Sequence, residues 1–252
     1  MFSTPILFLV FNRPDATKRV FEVIRKVKPK FLYIAADGPR ENHLEDEENC
    51  RRVREIVNTV DWDCNVQTLM RSENLGCGLS VNNAIDWFFE NVEQGIILED
   101  DCLPEISFFD FCEKSLNYYS NKENVKMISG TNYLFGKFNN QDNLFFSNFC
   151  LIWGWATWKS VWKDFKSNYD FYKMENVGEI LSSRFDDRNL ISWYQLMYNE
   201  VVSQKINTWD IQFVYYIYSK NGLSVIPYKN QIKNIGFIGT HINESPDSKF
   251  FN

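Results

Sequence analysis

The chain has 252 residues, 44% hydrophobic and 24% charged, which suffices for a sizeable buried core and is too well mixed for wholesale disorder. Its 27 Lys and Arg against 33 Asp and Glu leave a formal net charge of -6, so no overall positive field draws it to nucleic acid or anionic lipid. The length excludes a disulfide mini-scaffold. The six cysteines, Cys50, Cys64, Cys77, Cys102, Cys112 and Cys150, include no C-x-x-C pair, which argues against a structural zinc site.

Residues 6–11 are an unbroken apolar run and predict a buried strand, too short to span a membrane and ended by Asn12-Arg13-Pro14 without a signal-peptide cleavage region. Reduced thiols and a cytoplasmic location follow as expectations, with peripheral association at a membrane surface left open. Asp15, Ala16 and Thr17 then open a helix whose Val20, Phe21, Val23, Ile24 and Val27 share one face. Residues 31–36 predict a second strand, stopped by the turn signal Asp37-Gly38-Pro39. The acidic stretch 41–48 reads as a solvated face or loop leading into a helix through Val53, Ile56 and Val57. A third strand at 66–70, a turn at 73–78, a helix over about 79–90 and a fourth strand at 95–98 complete a series of β/α units.

The second half is less regular. It predicts a helix at 106–119, a strand at 125–129, an aromatic segment at 144–162, helices at 189–203 and 210–220, and strands at 223–226 and 232–235. No repeat or linker divides the chain. The expectation is one α/β domain over 1–252, with a central mixed, mostly parallel sheet flanked by helices.

The fourth strand runs straight into Glu99-Asp100-Asp101. Ligands of open α/β sheets sit outside the carboxyl ends of the strands, and three consecutive acids there repel one another unless a cation neutralises them. Hard carboxylate oxygens suit Mg²⁺ or Mn²⁺, with phosphate oxygens and water completing the shell. An exposed acidic turn or a helix cap ahead of Leu103-Pro104-Glu105 is the plainer alternative.

Strand, Glu-Asp-Asp and a following Leu-Pro resemble the metal motif of GT-A nucleotide-sugar glycosyltransferases, in particular the N-acetylglucosaminyltransferase I type and related bacterial enzymes. Phe11-Asn12-Arg13-Pro14, Asp37-Gly38 and Asn74-Leu75-Gly76 occur in the order that such a donor-binding half would show. The resemblance covers residues 5–130 well and the remainder loosely. It implies a Rossmann-like nucleotide-diphospho-sugar transferase fold with a nucleotide-sugar half at about 1–130 and an acceptor half at about 131–252.

By that resemblance Arg13 and Asp37 lie beside the nucleobase, Glu99 contacts the ribose, and Asp101 coordinates the metal. Asp100 stays open as a further contact, because sequence does not fix which carboxylate points inward. Taken alone, Arg13 reads equally as a surface charge at a helix start, and Asp37 as a turn former. Arg71 and Asn74, ahead of Gly76-Cys77-Gly78, are expected near the nucleotide, although a plain helix entry explains these glycines as well. Ser80 stands where the animal enzymes of this type carry a nucleotide-contacting histidine.

Trp153-Gly154-Trp155 offers indole faces suited to sugar rings and is assigned to a donor or acceptor pocket. Trp158 and Trp162, spaced from Trp155 as on one helix face, are assigned to the core. An inverting transfer needs a carboxylate to deprotonate the acceptor hydroxyl. Asp210, in Thr208-Trp209-Asp210, is favoured because a Trp-Asp pair supplies the base in the resembled enzymes; Asp187 is held in reserve, and a simple N-cap remains the competing reading of Asp210. His241 resembles a residue of the C-terminal loop that closes over metal and diphosphate, and the resemblance implies a second metal ligand there, with a surface histidine as the alternative.

The expected function is a Mn²⁺- or Mg²⁺-dependent, inverting hexosyl- or N-acetylhexosaminyltransferase. It would use a nucleotide-sugar donor, UDP above all, and a saccharide acceptor, in bacterial surface polysaccharide or glycan synthesis. A sugar nucleotidyltransferase and a non-catalytic carbohydrate-binding protein are the rival expectations.

Overall fold

A computed structural model describes residues 2–136 and 143–236. The first half is built as β1 (Ile6–Val10), α1 (Pro14–Val27), β2 (Phe31–Ala36), α2 (Asp46–Val57), β3 (Asn65–Met70), α3 (Gly76–Asn91) and β4 (Gln94–Glu99). There follow β5 (Cys102–Pro104), α4 (Ile106–Tyr119), β6 (Val125–Ser129), β7 (Leu144–Ser147), β8 (Trp155–Trp158) and α5 (Lys159–Asn168). After a 3-10 turn at Phe171–Lys173 come α6 (Val177–Ser182), α7 (Arg188–Val202), α8 (Asp210–Ser219), β9 (Leu223–Pro227) and β10 (Ile232–Asn234).

The α/β expectation is met by one eight-stranded sheet in the order β3-β2-β1-β4-β8-β6-β9-β7, with helices packed against it. Four of its neighbouring pairs, β3–β2, β2–β1, β1–β4 and β6–β9, are parallel, and the other three are antiparallel. β1 is apolar and buried at every position, as a strand covered by helices on both faces must be. The chain builds outward from β1 through β2 to β3, then returns to place β4 on the other side of β1. That reversal is a topological switch point, where the loops leaving two adjacent strands part and open a crevice. The register sets Leu9 opposite Glu99 and Val10 opposite Ala36, so the exits of β1, β2 and β4 stand level.

Local sequence explains several departures from expectation. α1 starts at Pro14 rather than being capped by residues 15–17, because proline suits the first helical position; Arg13 takes the cap position and Thr17 Oγ1 donates back to its carbonyl at 2.8 Å. α3 begins three residues early, at Gly76, where Asn74 Oδ1 accepts from the Gly76 amide at 3.1 Å. The supposed helical stripe Trp155, Trp158, Trp162 is split: the first two lie on β8, and the third on α5. β5 and β10, three residues each, pair antiparallel outside the main sheet; strands so short carry almost no period.

Two apolar clusters form the interior. The larger fills both faces of the sheet, and a satellite under α6, α7 and α8 gathers Phe171, Leu181, Phe185, Tyr194 and Tyr215. Among the described residues no helix is long and apolar enough to cross a membrane. Trp155 is fully buried and stacks on Trp209 at 5.5 Å between ring centroids, with Phe213 at 5.3 Å. Trp155→Ala is expected to lower unfolding free energy by about 3–5 kcal/mol, measured by urea denaturation; a loss under about 1 kcal/mol would mean that this stack does not anchor α8.

Candidate active site

The switch point between β1 and β4 holds a cavity of about 260 Å³, near the lower end for small-molecule sites. Its floor is the small aliphatic set Leu9, Ala35, Val81 and Ala84, and its walls include Arg13, Asp37, Arg40, Asn74, Cys77, Ser80, Glu99, Asp100 and Asn207. A broader trough of about 1980 Å³ lies between α4 and β7, but its one acid among the described residues, Asp110, is spent on Lys114 at 2.6 Å. The acid-base chemistry is therefore concentrated in the smaller cleft.

Arg13, leaving β1, reaches across to the loop that leaves β4. Its Nη1 donates to Asp100 Oδ1 at 3.0 Å and to Asp101 Oδ2 at 2.5 Å. Asp100 Oδ2 accepts from the Phe11 amide at 3.1 Å, and Asp101 Oδ1 faces the Cys102 thiol at 3.5 Å. Burial disfavours the Arg13 charge, yet Asp100, Asp101 and Glu99 more than offset this and raise its pKa. The Glu99 carboxyl is pushed up to about 8, first by burial and then by Asp101 and Asp100. Burial likewise raises Asp100, to about 6, against the pull of Arg13. Burial leads this pattern, and proximity among like charges, only partly compensated by one guanidinium, adds to it.

The second wall is the clamp between the loops after β2 and β3. Asp37 is 8% exposed and accepts from the Gly38 amide at 3.0 Å, the Leu75 amide at 3.1 Å and Asn74 Nδ2 at 3.1 Å. Asn74 Nδ2 also donates to the Gly38 carbonyl at 2.9 Å. A Cβ on Gly38 would stand 2.4 Å from the Glu73 carbonyl carbon, so only glycine lets these loops touch. Asp37 and Asn74 thus come together, and each orients the other.

Asp210 opens α8, and Thr208 Oγ1 donates to its carboxylate. Its charge is felt in the cleft, raising both Glu99 and Cys77. The Cys77 thiol is pushed up to about 12, mainly by burial, and is no nucleophile near neutrality. Three further acids of the later chain are engaged elsewhere. The reserve candidate Asp187 caps α7 through the Asn189 and Leu190 amides, Asp164 accepts from Tyr216 and pairs with Lys220, and Glu200 pairs with Lys205.

The expectation that Trp155 lines a ligand pocket is not met, because β8 is an inner strand between β4 and β6 and turns this ring into the core. Gly154, at φ +62°, serves packing instead: a Cβ there would meet Ile232 at 2.4 Å. Trp153 borders a separate recess beside Tyr133, with ring centroids 6.0 Å apart. Arg71 is absent from the cleft wall; its amide donates to the Ala36 carbonyl at 3.0 Å. His241 lies outside the described residues. Among those described, no three His, Cys, Asp or Glu side chains converge as a ligand set.

Sequence reasoning missed Asn207 and Arg40. Asn207 Oδ1 accepts from the Gly78 amide at 3.2 Å, a link between distant segments that no local pattern announces. The acidic stretch was expected to be solvated, but Asp46 within it is 3% exposed. It binds Arg40 Nε at 2.7 Å and Asn12 Nδ2 at 2.7 Å, and Arg40 in turn lies over the Phe11 ring at 5.5 Å.

No protein-family model matches this chain, and no curated protein matches it. Solved structures with a related fold include a cytidylyltransferase of Leptospira borgpetersenii, 14% identical over 68% of this chain and 66% of that one, with a TM-score of 0.39. Another is 4-diphosphocytidyl-2C-methyl-D-erythritol synthase of Anaerococcus prevotii, at 8% identity, 91% and 92% coverage, and a TM-score of 0.43. A third is mouse xyloside xylosyltransferase 1, at 7% identity, 85% and 81% coverage, and a TM-score of 0.37. At such values the likeness says nothing of substrate or reaction.

The Arg40 hydrogen bond holds Asp46 down to about 2, below its usual 3.8. A depressed carboxylate contributes stability above its ordinary pKa and loses it as pH falls through the folded value. Asp46→Ala is therefore expected to cost on the order of 1–3 kcal/mol at neutral pH, with the difference from the parent chain shrinking between about pH 4 and pH 2. A difference in denaturation midpoint that stays constant over that range would show that the ion pair is not its source.

Proposed function

We propose that the chain is a glycosyltransferase that moves a hexosyl or N-acetylhexosaminyl group from a nucleoside diphosphate, UDP by preference, to a saccharide hydroxyl with inversion, in bacterial surface polysaccharide or glycan synthesis. One observation carries this reading: Arg13 joins Asp100 and Asp101 at the switch point, beside a cleft lined by Glu99, whose carboxyl feels the charge of Asp210. In this reading residues 1–130 supply the donor side and residues 131–252 the acceptor side of one domain.

The Asp37–Asn74 clamp forms the nucleobase end of the cleft, and Glu99 faces the ribose. The donor set suits a divalent cation: Asp100 Oδ1 and Asp101 Oδ2 already share one point of positive charge, Arg13 Nη1, and both are hard oxygens. With Asp100 and Asp101 as its protein ligands, a bound Mn²⁺ or Mg²⁺ would act as a Lewis acid on the leaving diphosphate. Asp210 takes the proton of the acceptor hydroxyl, with Thr208 holding its carboxylate in orientation and the Trp209–Trp155 stack fixing the start of α8.

The rival nucleotidyltransferase reading needs a main chain that wraps a triphosphate after the first strand. Here β1 leads through Phe11 and Asn12 directly into α1, with no glycine in the connection. Assays with UDP- and GDP-sugars, in Mn²⁺ and in EDTA, decide between the two: the transferase releases nucleoside diphosphate, the rival pyrophosphate. Asp210→Asn is expected to keep UDP affinity and lose about 10²–10⁴-fold in turnover. Unchanged turnover would remove Asp210 from the chemistry, and an absence of nucleotide-sugar binding at millimolar concentration would overturn the assignment.

A further inference from the structure

We infer that Arg40 is the residue that selects the nucleobase of the donor, its uncommitted guanidinium nitrogen donating to the C4 oxygen of a uracil ring and refusing the amino group that cytosine carries at that position. This rests on the glycosyltransferase reading above and adds to it the residue that sets the preference for UDP.

The Arg40 side chain is held by its own surroundings. Its Nε and Nη2 donate to the two oxygens of Asp46 at 2.7 and 3.0 Å, and its backbone amide donates to the same carboxylate at 3.1 Å. Asp46 is buried and is held in turn by Asn12 Nδ2 at 2.7 Å, so the fork closes on a fixed partner. Phe11 covers one face of the guanidinium, with Cζ 5.5 Å from the ring centre. Two of the three nitrogens are thus spent on Asp46. Nη1 makes no hydrogen bond among the described residues. Arg40 borders the cleft and Asp46 does not, so the edge of the guanidinium turned from Asp46, which carries Nη1, is the edge toward the cavity. In the neighbouring clamp Asn74 spends both ends of its amide on Asp37, the Gly38 carbonyl and the Gly76 amide. Arg40 is the group on this wall with a donor to spare.

Position names the atom that it reads. Glu99, set against the ribose, ends β4, and Arg40 follows β2, with β1 between the two strands. Two spacings of about 4.8 Å each separate these strand exits by about 10 Å. A base attached to a ribose beside Glu99 therefore turns its far edge, C4 and the substituent on it, toward Arg40. An N–H meets an oxygen there as a hydrogen bond. It meets an amino group donor against donor, and both groups are then desolvated without a partner.

The test is calorimetric titration of UDP and of CDP, with Mn²⁺ present, into the parent chain and into Arg40→Met, whose unbranched side chain still covers Phe11 and carries no donor. The parent is expected to bind UDP about tenfold or more tightly than CDP. Arg40→Met is expected to bind the two within about twofold of each other, through loss of UDP affinity. An arginine with a purely structural role would weaken both nucleotides alike and preserve their ratio. Equal binding by the parent, or a ratio preserved in Arg40→Met, overturns the inference and leaves the transferase reading standing; a parent chain that binds neither nucleotide at millimolar concentration overturns both. Should the unpaired Asp46 keep Arg40→Met from folding, Arg40→Met combined with Asp46→Asn removes both charges and carries the same measurement.

Discussion

One ion pair ties the two sides of the switch point together. Arg13 leaves β1 and Asp100 and Asp101 leave β4, so their contact spans the crevice that the strand order opens. Without it three consecutive acids would face one another in a partly dehydrated wall, an arrangement that no backbone hydrogen bond could fully offset. With it, the loop exits of the two central strands are held at a fixed separation. This pair adds to the β1–β4 ladder in setting the shape of the cleft.

The aromatic share of 17% serves the same end from below. Trp155, Trp209, Trp162 and Phe213 pack ring against ring beneath α8, and the Tyr216 hydroxyl reaches Asp164 at 2.7 Å. These contacts seat α8, whose first residue, Asp210, raises the Glu99 carboxyl. Asn207 ties the segment before that helix to the start of α3 through Gly78. The helix that begins with Asp210 and the start of α3 are thereby parts of one packed unit.

Strands with dense apolar runs were legible from sequence alone, because burial on both faces leaves no choice of composition: residues 6–10, 31–36 and 95–98 all lie in the sheet, and only Phe11 of the first run falls outside it. The acids after β4 and the turn after β2 were also legible, since their chemistry is concentrated in neighbouring residues. What escaped was set by distant partners. Trp155 looks like a platform for a sugar until β4 and β6 enclose its strand. Asp46 looks solvated until Arg40 and Asn12 close on it. Asn207 carries no local signal, and β5 and β10 hold each other in place without a pattern in either.

The pairing of β10 with β5 has a bearing on how the protein is made. The Ile235 amide donates to the Asp101 carbonyl at 2.8 Å, and β10 aligns Asn234 with Cys102 directly beside the acids. Parallel β/α units at the start of the chain can collapse during synthesis, but the turn bearing the carboxylates lacks its last strand until residue 235 has left the ribosome. Contacts of such long range form late. The first half therefore emerges with its charged rim unfinished until β10 has joined β5.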